Sequence, residues 1–379
     1  MKFATKLVHY DVSPGDPFHP MATPIYQTAT FEQDFGDSFG PYDYSRSGNP
    51  TRRVLEDQLA RLENGIRAFC FSSGMAAIAT VTRLLKPGDE ILADWDLYGG
   101  ATRLFQQLKD HSGVAVRYVD ASNPEILASQ ISPATRLVYV ESPTNPLLRV
   151  IDLQASARIA HENGLHLCVD NSTMSPYLQN PLELGADIVI HSATKFLGGH
   201  SDVTGGAVVV KDEALAAQIY SVQNAEGTAL GPFDCFLLLR GLKTLKLRMD
   251  AQQSSAGQIA AQLSEHPKVS RVYYPGLPDH PSSATQKLQA RGAGSVISFQ
   301  AGSPQAAKAI AENLRLFAIA VSFGSVNSTI GIPIKMSHAS TPVDLQSSRA
   351  IPSDLIRMSI GIEDCGELMQ DLDDVLKLI

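Results

Sequence analysis

The chain has 379 residues, of which 44% are hydrophobic and 18% charged; at roughly 150 residues per domain this suffices for two or three domains with cores of their own, which excludes a disulfide-stapled mini-protein or a disordered chain. The formal charge of −8 comes from 31 basic and 39 acidic residues with no Lys/Arg cluster to follow a phosphate backbone, so nucleic acid is not an expected partner. No run approaches the roughly 18 apolar residues of a membrane span and no N-terminal stretch reads as a signal peptide, so the expected compartment is the cytoplasm, with no membrane partner; Cys70, Cys168, Cys235 and Cys365 stand far apart without metal-ligand spacing, so no metal is expected.

Residues 1–50 have little periodicity and many Gly, Pro and aromatic residues, the composition of an arm that packs against something else, a subunit partner being the natural candidate. From Arg67 to Val210, short β-branched or aromatic runs alternate with helical segments: RAFCF, SGMAAIATVTRLL, EILADW, YGGATRLFQQLKD, VAVRYVD, TRLVYV, LHLCVD, DIVIH and GGAVVV. The rhythm is βαβ, and near-continuous apolar strands such as LVYV and IVIH predict a mostly parallel sheet covered on both faces. After Pro232 one long helical stretch runs to His266, followed by strands near VSRVYY, GSVISFQ and LIRMSIG and a last helix. The expected organisation is an arm over 1–50, an α/β domain over 51–245 and a smaller α+β domain over 246–379.

The chemistry concentrates after strands. In HSATKFLGGHSDVTGG (191–206), Lys195 follows a buried strand at the carboxyl edge, where ligands of open α/β sheets sit; partial desolvation there lowers an amine's pKa and lets it act as a nucleophile towards a carbonyl. Ser192 and Thr194 flank it with hydroxyls suited to a phosphate. Alone, such a lysine reads as a solvated residue in a glycine-rich turn. Asp170 ends the strand LCVD and projects onto the same edge, either as a carboxylate that keeps a heterocyclic nitrogen protonated or as a turn former. In FSSGMAA the turn Ser73-Gly74-Met75 opens a helix whose first amides form an anion site, or simply a Ser-capped helix. Tyr98, again after a strand, is either a plate for a planar ring or a core tyrosine.

Covalent anchor, electron-sink partner, phosphate cradle and stacking plate occur together in this chain. With PIYQTATF, YDYSRSGNPTR, SSGMAA, YGGATR, ESPTNP, VDNSTMSP, HSATKFLGGHSDV, LRGLKTLKLRM, YYPGLPDHP, MSHAS and RMSIGIED, it resembles, nearly end to end, the Cys/Met-metabolism (trans-sulfuration) family of fold type I pyridoxal-phosphate enzymes. The resemblance implies a fold type I, PLP-dependent transferase-like α/β architecture with pyridoxal 5'-phosphate as cofactor. It puts Lys195 at the covalent lysine, Asp170 at the pyridine-nitrogen carboxylate and Tyr98 at the stacking tyrosine, with Lys195 and Tyr98 as catalytic residues. Gly74, Met75, Ser192 and Thr194 match the phosphate ligands, and Tyr44 and Arg46 match the pair that reaches the neighbouring subunit's phosphate across a dimer interface. Arg357 matches the arginine of the substrate α-carboxylate, with Ser322 and Asn145 near that carboxylate and the cofactor's 3′-oxygen. A homotetramer built from dimers with shared active sites, acting on a small amino acid, is implied with them.

Within the family, AVSFGSV, GPYDYSRSGNPTR, RAFCFSSGMAA, VDNSTMSP and PFDC are most similar to the plant-type cystathionine β-lyase subgroup. Asn327 stands where members acting at Cγ carry glutamate, and Gly100 where methionine γ-lyases carry a reactive cysteine. The implied activity is carbon–sulfur cleavage of L-cystathionine to homocysteine, pyruvate and ammonia towards methionine. Cystathionine γ-lyase or γ-synthase chemistry is the alternative, and a non-catalytic PLP-binding protein a remote one.

Overall fold

A computed structural model describes residues 1–33, 40–336 and 351–378; the MSHAS motif beyond Met336 lies outside them. Seven strands form the large sheet: β1 Arg67–Phe71, β2 Glu90–Asp94, β3 Ala115–Val119, β4 Thr135–Glu141, β5 His166–Asp170, β6 Ile188–Ser192 and β7 Gly206–Val210, in the order β1-β7-β6-β5-β4-β2-β3. The six strands other than β7 share one direction, while β7 runs antiparallel to both of its neighbours. The sheet is thus mostly parallel, and β7 departs for a topological reason: the segment 193–205 between β6 and β7 holds no helix to carry the chain back over the sheet, so the strand returns beside its predecessor.

The central strands of the sheet are buried on both faces. Along β4, Val138 and Val140 pack into one apolar cluster with Leu55, Leu59 and Leu239, whereas Leu137 and Tyr139 pack into the other with Ile78, Phe105 and Ile219. Alternate residues therefore serve opposite cores, which is why the strands read as unbroken apolar runs. The helices Pro50–Glu63 and Pro232–Leu242 cover the first face, and Gly74–Thr82, Gly99–Ser112 and Glu213–Glu226 the second. No helix of the described residues is long and apolar enough to cross a membrane.

The helical stretch after Pro232 is two helices, Pro232–Leu242 and Leu245–Glu265. At Thr244 the backbone (φ −106°, ψ 4°) leaves helical geometry, and its hydroxyl takes a local hydrogen bond from Arg248 Nε at 3.1 Å, the competition by which threonine interrupts helices. Beyond it a second sheet, in the order β10-β11-β12-β9-β8, contains β8 Arg271–Tyr273, β9 Val296–Gln300, β10 Ala318–Ile319, β11 Thr329–Gly331 and β12 Leu355–Ser359. Its core of Ile297, Phe299, Ile356 and Met358 is closed by Leu368 and Leu372 of the helix Cys365–Leu378. All four cysteines are free, and Cys70, Cys168 and Cys235 are buried.

Candidate active site

The carboxyl ends of β4, β5 and β6 stand side by side, with Glu141 in register with Asp170. Because β7 is antiparallel, its first residue Gly206 pairs with both Ser192 and Phe71, so the turn after β1 opens on the same edge. Above this edge lies a cavity of about 510 Å³ lined by Gly74, Met75, Tyr98, Asn145, Asp170 and Ser192, together with Thr194, Lys195, Ser322 and Arg357. Ten of the twelve sequence-predicted site residues thus meet in one place. The other two, Tyr44 and Arg46, lie outside it: Tyr44 is exposed, and Arg46 stacks on the Tyr44 ring and bonds to Asn224.

Lys195 donates to Ser322 Oγ at 2.5 Å, and burial, followed by the charge of Arg357, lowers its pKa to about 8. A substantial share of this amine is therefore neutral near physiological pH, the form that attacks carbonyls and accepts protons. Ser322 also accepts from Arg357 Nη2 through its backbone oxygen at 2.7 Å, and its φ of +83° is a costly conformation for a residue with a side chain. One strained serine thus holds an amine and a guanidinium by its two ends. Arg357 Nη1 donates to Asn145 Oδ1 at 3.1 Å. Burial brings the guanidinium down to about 10, still charged at neutral pH, with hydrogens left over for a bound carboxylate.

Asp170 sits opposite. Burial raises it above the usual carboxylate range, against the hydrogen bonds of Ser172, whose N–H donates to Oδ1 at 3.0 Å. A cationic nitrogen at this carboxylate would restore its charge and be held protonated in turn. Ser172 Oγ in turn accepts from Ser192 N at 2.6 Å, tying the ends of β5 and β6 together.

The helix Gly74–Thr82 begins at the cavity with Ser73 as its cap, Ser73 Oγ accepting from Ala76 N at 3.1 Å. A Cβ on Gly74 would stand 2.9 Å from Ser192 Cβ, so glycine keeps open the cradle between the helix N-terminus and the serine hydroxyl. That amide and hydroxyl set fits a phosphate. Gly100 has a similar duty: a Cβ there would lie 2.3 Å from Tyr98 Cε1 and 2.8 Å from Met75 Sδ, leaving no room for a cysteine while Tyr98 keeps its place. The donor set as a whole suits a planar group with an anion at one end, a basic nitrogen and a carbonyl carbon. Asn327 is exposed and does not line the cavity.

Sequence reasoning passed over Glu141, Arg103 and Phe323, which line the cavity. Glu141 was findable, since it ends an apolar strand as Asp170 does. Also passed over is Arg248, which reaches from the helix Leu245–Glu265 to donate to the carbonyl oxygen of Phe196 at 2.8 Å, directly after Lys195. A helical arginine in a charged stretch carries no local signal of such a contact.

The family described as Cys/Met metabolism PLP-dependent enzyme matches residues 4–377. The chain is 52% identical over 374 residues to the chloroplastic cystathionine beta-lyase of Arabidopsis thaliana, covering 99% of this chain and 80% of that protein. It is 44% identical over 379 residues to the cystathionine gamma-lyase of Bacillus subtilis, covering 100% of both. A crystal structure of cystathionine gamma synthase from Xanthomonas oryzae pv. oryzae in complex with cystathionine superposes with a TM-score of 0.97 at 40% identity, over 100% of this chain and 98% of that one.

Proposed function

This chain belongs to the family of Cys/Met metabolism PLP-dependent enzymes, and from that premise we propose that it is a carbon–sulfur lyase that cleaves L-cystathionine to homocysteine, pyruvate and ammonia, on a route towards methionine. The observation that carries the reading is the pairing of Lys195 and Arg357 on the two ends of Ser322. An α-amino acid carries its acidic Cα–H next to a carboxylate, so a base and a carboxylate clamp held by one residue match its geometry.

Pyridoxal phosphate, when bound, supplies the electron sink for the pair left at Cα. Lys195 is the residue to hold it covalently, Asp170 its ring nitrogen, Tyr98 its ring face, and Gly74, Met75, Ser192 and Thr194 its phosphate. In the reaction itself Arg357 binds the α-carboxylate, Asn145 fixes the guanidinium plane, and Lys195 takes the Cα proton while Ser322 Oγ orients the amine. The Cβ–S bond then breaks with its electron pair going to sulfur, which leaves as homocysteine after gaining a proton. Water releases the remaining three-carbon fragment as pyruvate and ammonia. Arg103 adds a second cation to the cavity, which suits a substrate with two carboxylates. Tyr44 and Arg46, outside the chain's own cavity, are assigned to a neighbouring subunit's site in a dimer-based homotetramer. The free cysteines suit the reducing cytoplasm.

Preference for Cβ over Cγ is supported by the 52% identity to a plant β-lyase. The test is to identify the keto acid and thiol released from L-cystathionine. Pyruvate with homocysteine is the expected pair; 2-oxobutyrate with cysteine would assign γ-cleavage instead, and neither product from cofactor-loaded protein would favour a synthase.

Gly74→Ala tests the phosphate cradle. Alanine would gain helix propensity, but its Cβ enters a contact already filled by Ser192, and overpacking of about 1–3 kcal/mol dominates. Retention of pyridoxal phosphate, followed by dialysis and visible absorbance, is expected to weaken roughly 5- to 150-fold. Unchanged retention would remove the phosphate from this turn.

A further inference from the structure

Glu141 is a buried carboxyl that the reaction as described leaves idle. It lines the active-site cavity at the end of β4, in register with Asp170 of β5, and accepts a hydrogen bond from Tyr98 N at 3.1 Å. The other charges that face it come from every neighbouring element: Asp94 at the end of β2, Asp96 in the following turn, and Arg357 on β12. Asp94 is offset by Arg149 at 3.3 Å, and Asp96 Oδ2 accepts from Thr144 Oγ1 at 2.5 Å. Lys195 and Arg103 line the same cavity.

This setting makes ionisation of Glu141 unfavourable. Burial, reinforced by Asp170, Asp96 and Asp94, pushes it well above the usual carboxylate range. If it did ionise, its charge would fall on Arg357, the cation meant for the substrate's carboxylate, and an anion in the cavity would repel the incoming one. A neutral carboxylic acid accepts from Tyr98 N equally well and leaves the guanidinium uncommitted.

We propose that Glu141 is a positioning residue that keeps its proton in the working enzyme, so that the cavity holds no competing anion and Arg357 is left for the substrate α-carboxylate. The proposal rests on the reading of Arg357 as the carboxylate clamp. It also fixes a sign. Carboxylate binding raises the proton affinity of Glu141 further, so between the pH at which the free enzyme loses this proton and the higher pH at which the complex loses it, binding takes up as much as one proton and affinity falls by up to tenfold per pH unit.

The experiment uses holoenzyme and 3-(methylthio)propionate, which has the carboxylate and thioether of a substrate but no amine with which to displace Lys195. Calorimetry in buffers of low and high ionisation enthalpy measures proton uptake on binding from neutral pH across the alkaline range. Wild type is expected to take up no proton near neutral pH, where Glu141 already holds it, and to begin uptake, with loss of affinity, only where rising pH ionises the free enzyme. Glu141→Gln keeps the acceptor for Tyr98 N and cannot ionise, so its uptake should vanish and its affinity should change less than twofold; Glu141→Asp, a carboxyl again, should restore the uptake. Uptake that persists in Glu141→Gln assigns the proton to another group and overturns the proposal. Uptake already present in wild type near neutral pH, which means an ionised Glu141 in the free enzyme, does the same while leaving the clamp intact. A wild type that turns over L-cystathionine without binding the probe removes the clamp and the proposal together.

Discussion

Lys195→Ala is expected to lower keto-acid release from L-cystathionine by roughly 10³–10⁴-fold, about 4–5.5 kcal/mol of barrier, because it removes the cavity amine that is hydrogen-bonded to Ser322. The loss should lie in turnover. Cofactor should still bind through the phosphate and ring contacts, without the covalent link, and wash out faster. Stability should not fall, since the substitution removes a desolvated amine rather than a packed apolar group. The same residue sets a pH dependence in the cofactor-free wild type. Its neutral fraction rises as pH climbs towards about 8, so the rate of covalent cofactor capture should increase about tenfold per pH unit well below that value and level off above it. A Lys195→Ala protein with wild-type turnover, or a capture rate flat from mildly acidic to neutral pH, would remove the assignment.

Arg357→Lys should act on substrate affinity. Lysine keeps the charge but not the planar fork, so it cannot serve Asn145 Oδ1, the Ser322 carbonyl and a substrate carboxylate at once. Losing one hydrogen bond to a charged group costs about 1.5–3 kcal/mol, roughly 10- to 150-fold in kcat/KM. Most of it should appear in KM, because the carboxylate is bound alike before and during the reaction. A substitution that changed kcat alone would mean that Arg357 serves the proton transfer, and unchanged kinetics would free it from the site.

Much of this was legible along the chain. Asp170 and Lys195 could be found because one ends and the other follows an apolar strand, and the chemistry of a parallel sheet collects at its carboxyl edge. Gly74 could be found because a glycine opening a helix after a strand is an anion-site signal, and the cradle against Ser192 gives that glycine its physical reason. By the same rule Glu141 was within reach, yet its surroundings were not: Asp94 and Asp170 from other strands and Asp96 from the turn after β2 converge on it. The reversed direction of β7 and the break at Thr244 left faint local traces, since both depend on where the chain must go next.

The order along the chain of the seven large-sheet strands, their two-faced burial and the kinds of chemistry at the strand ends were determined by the sequence alone, because hydrophobic period, caps and turn residues act over a few residues; the short strands Ala318–Ile319 and Thr329–Gly331 and the helices Ser283–Gln289 and Pro304–Asn313 of the smaller domain were not. Only the tertiary structure decided which of those groups meet. Lys195 and Ser322 are 127 residues apart and Asn145 and Arg357 are 212 apart, and these contacts close loops that no local pattern encodes. The same holds for the proton affinities that make the site work. The amine at about 8 is a property of burial and of the charge beside it, and both exist only once the two sheets have brought their edges together.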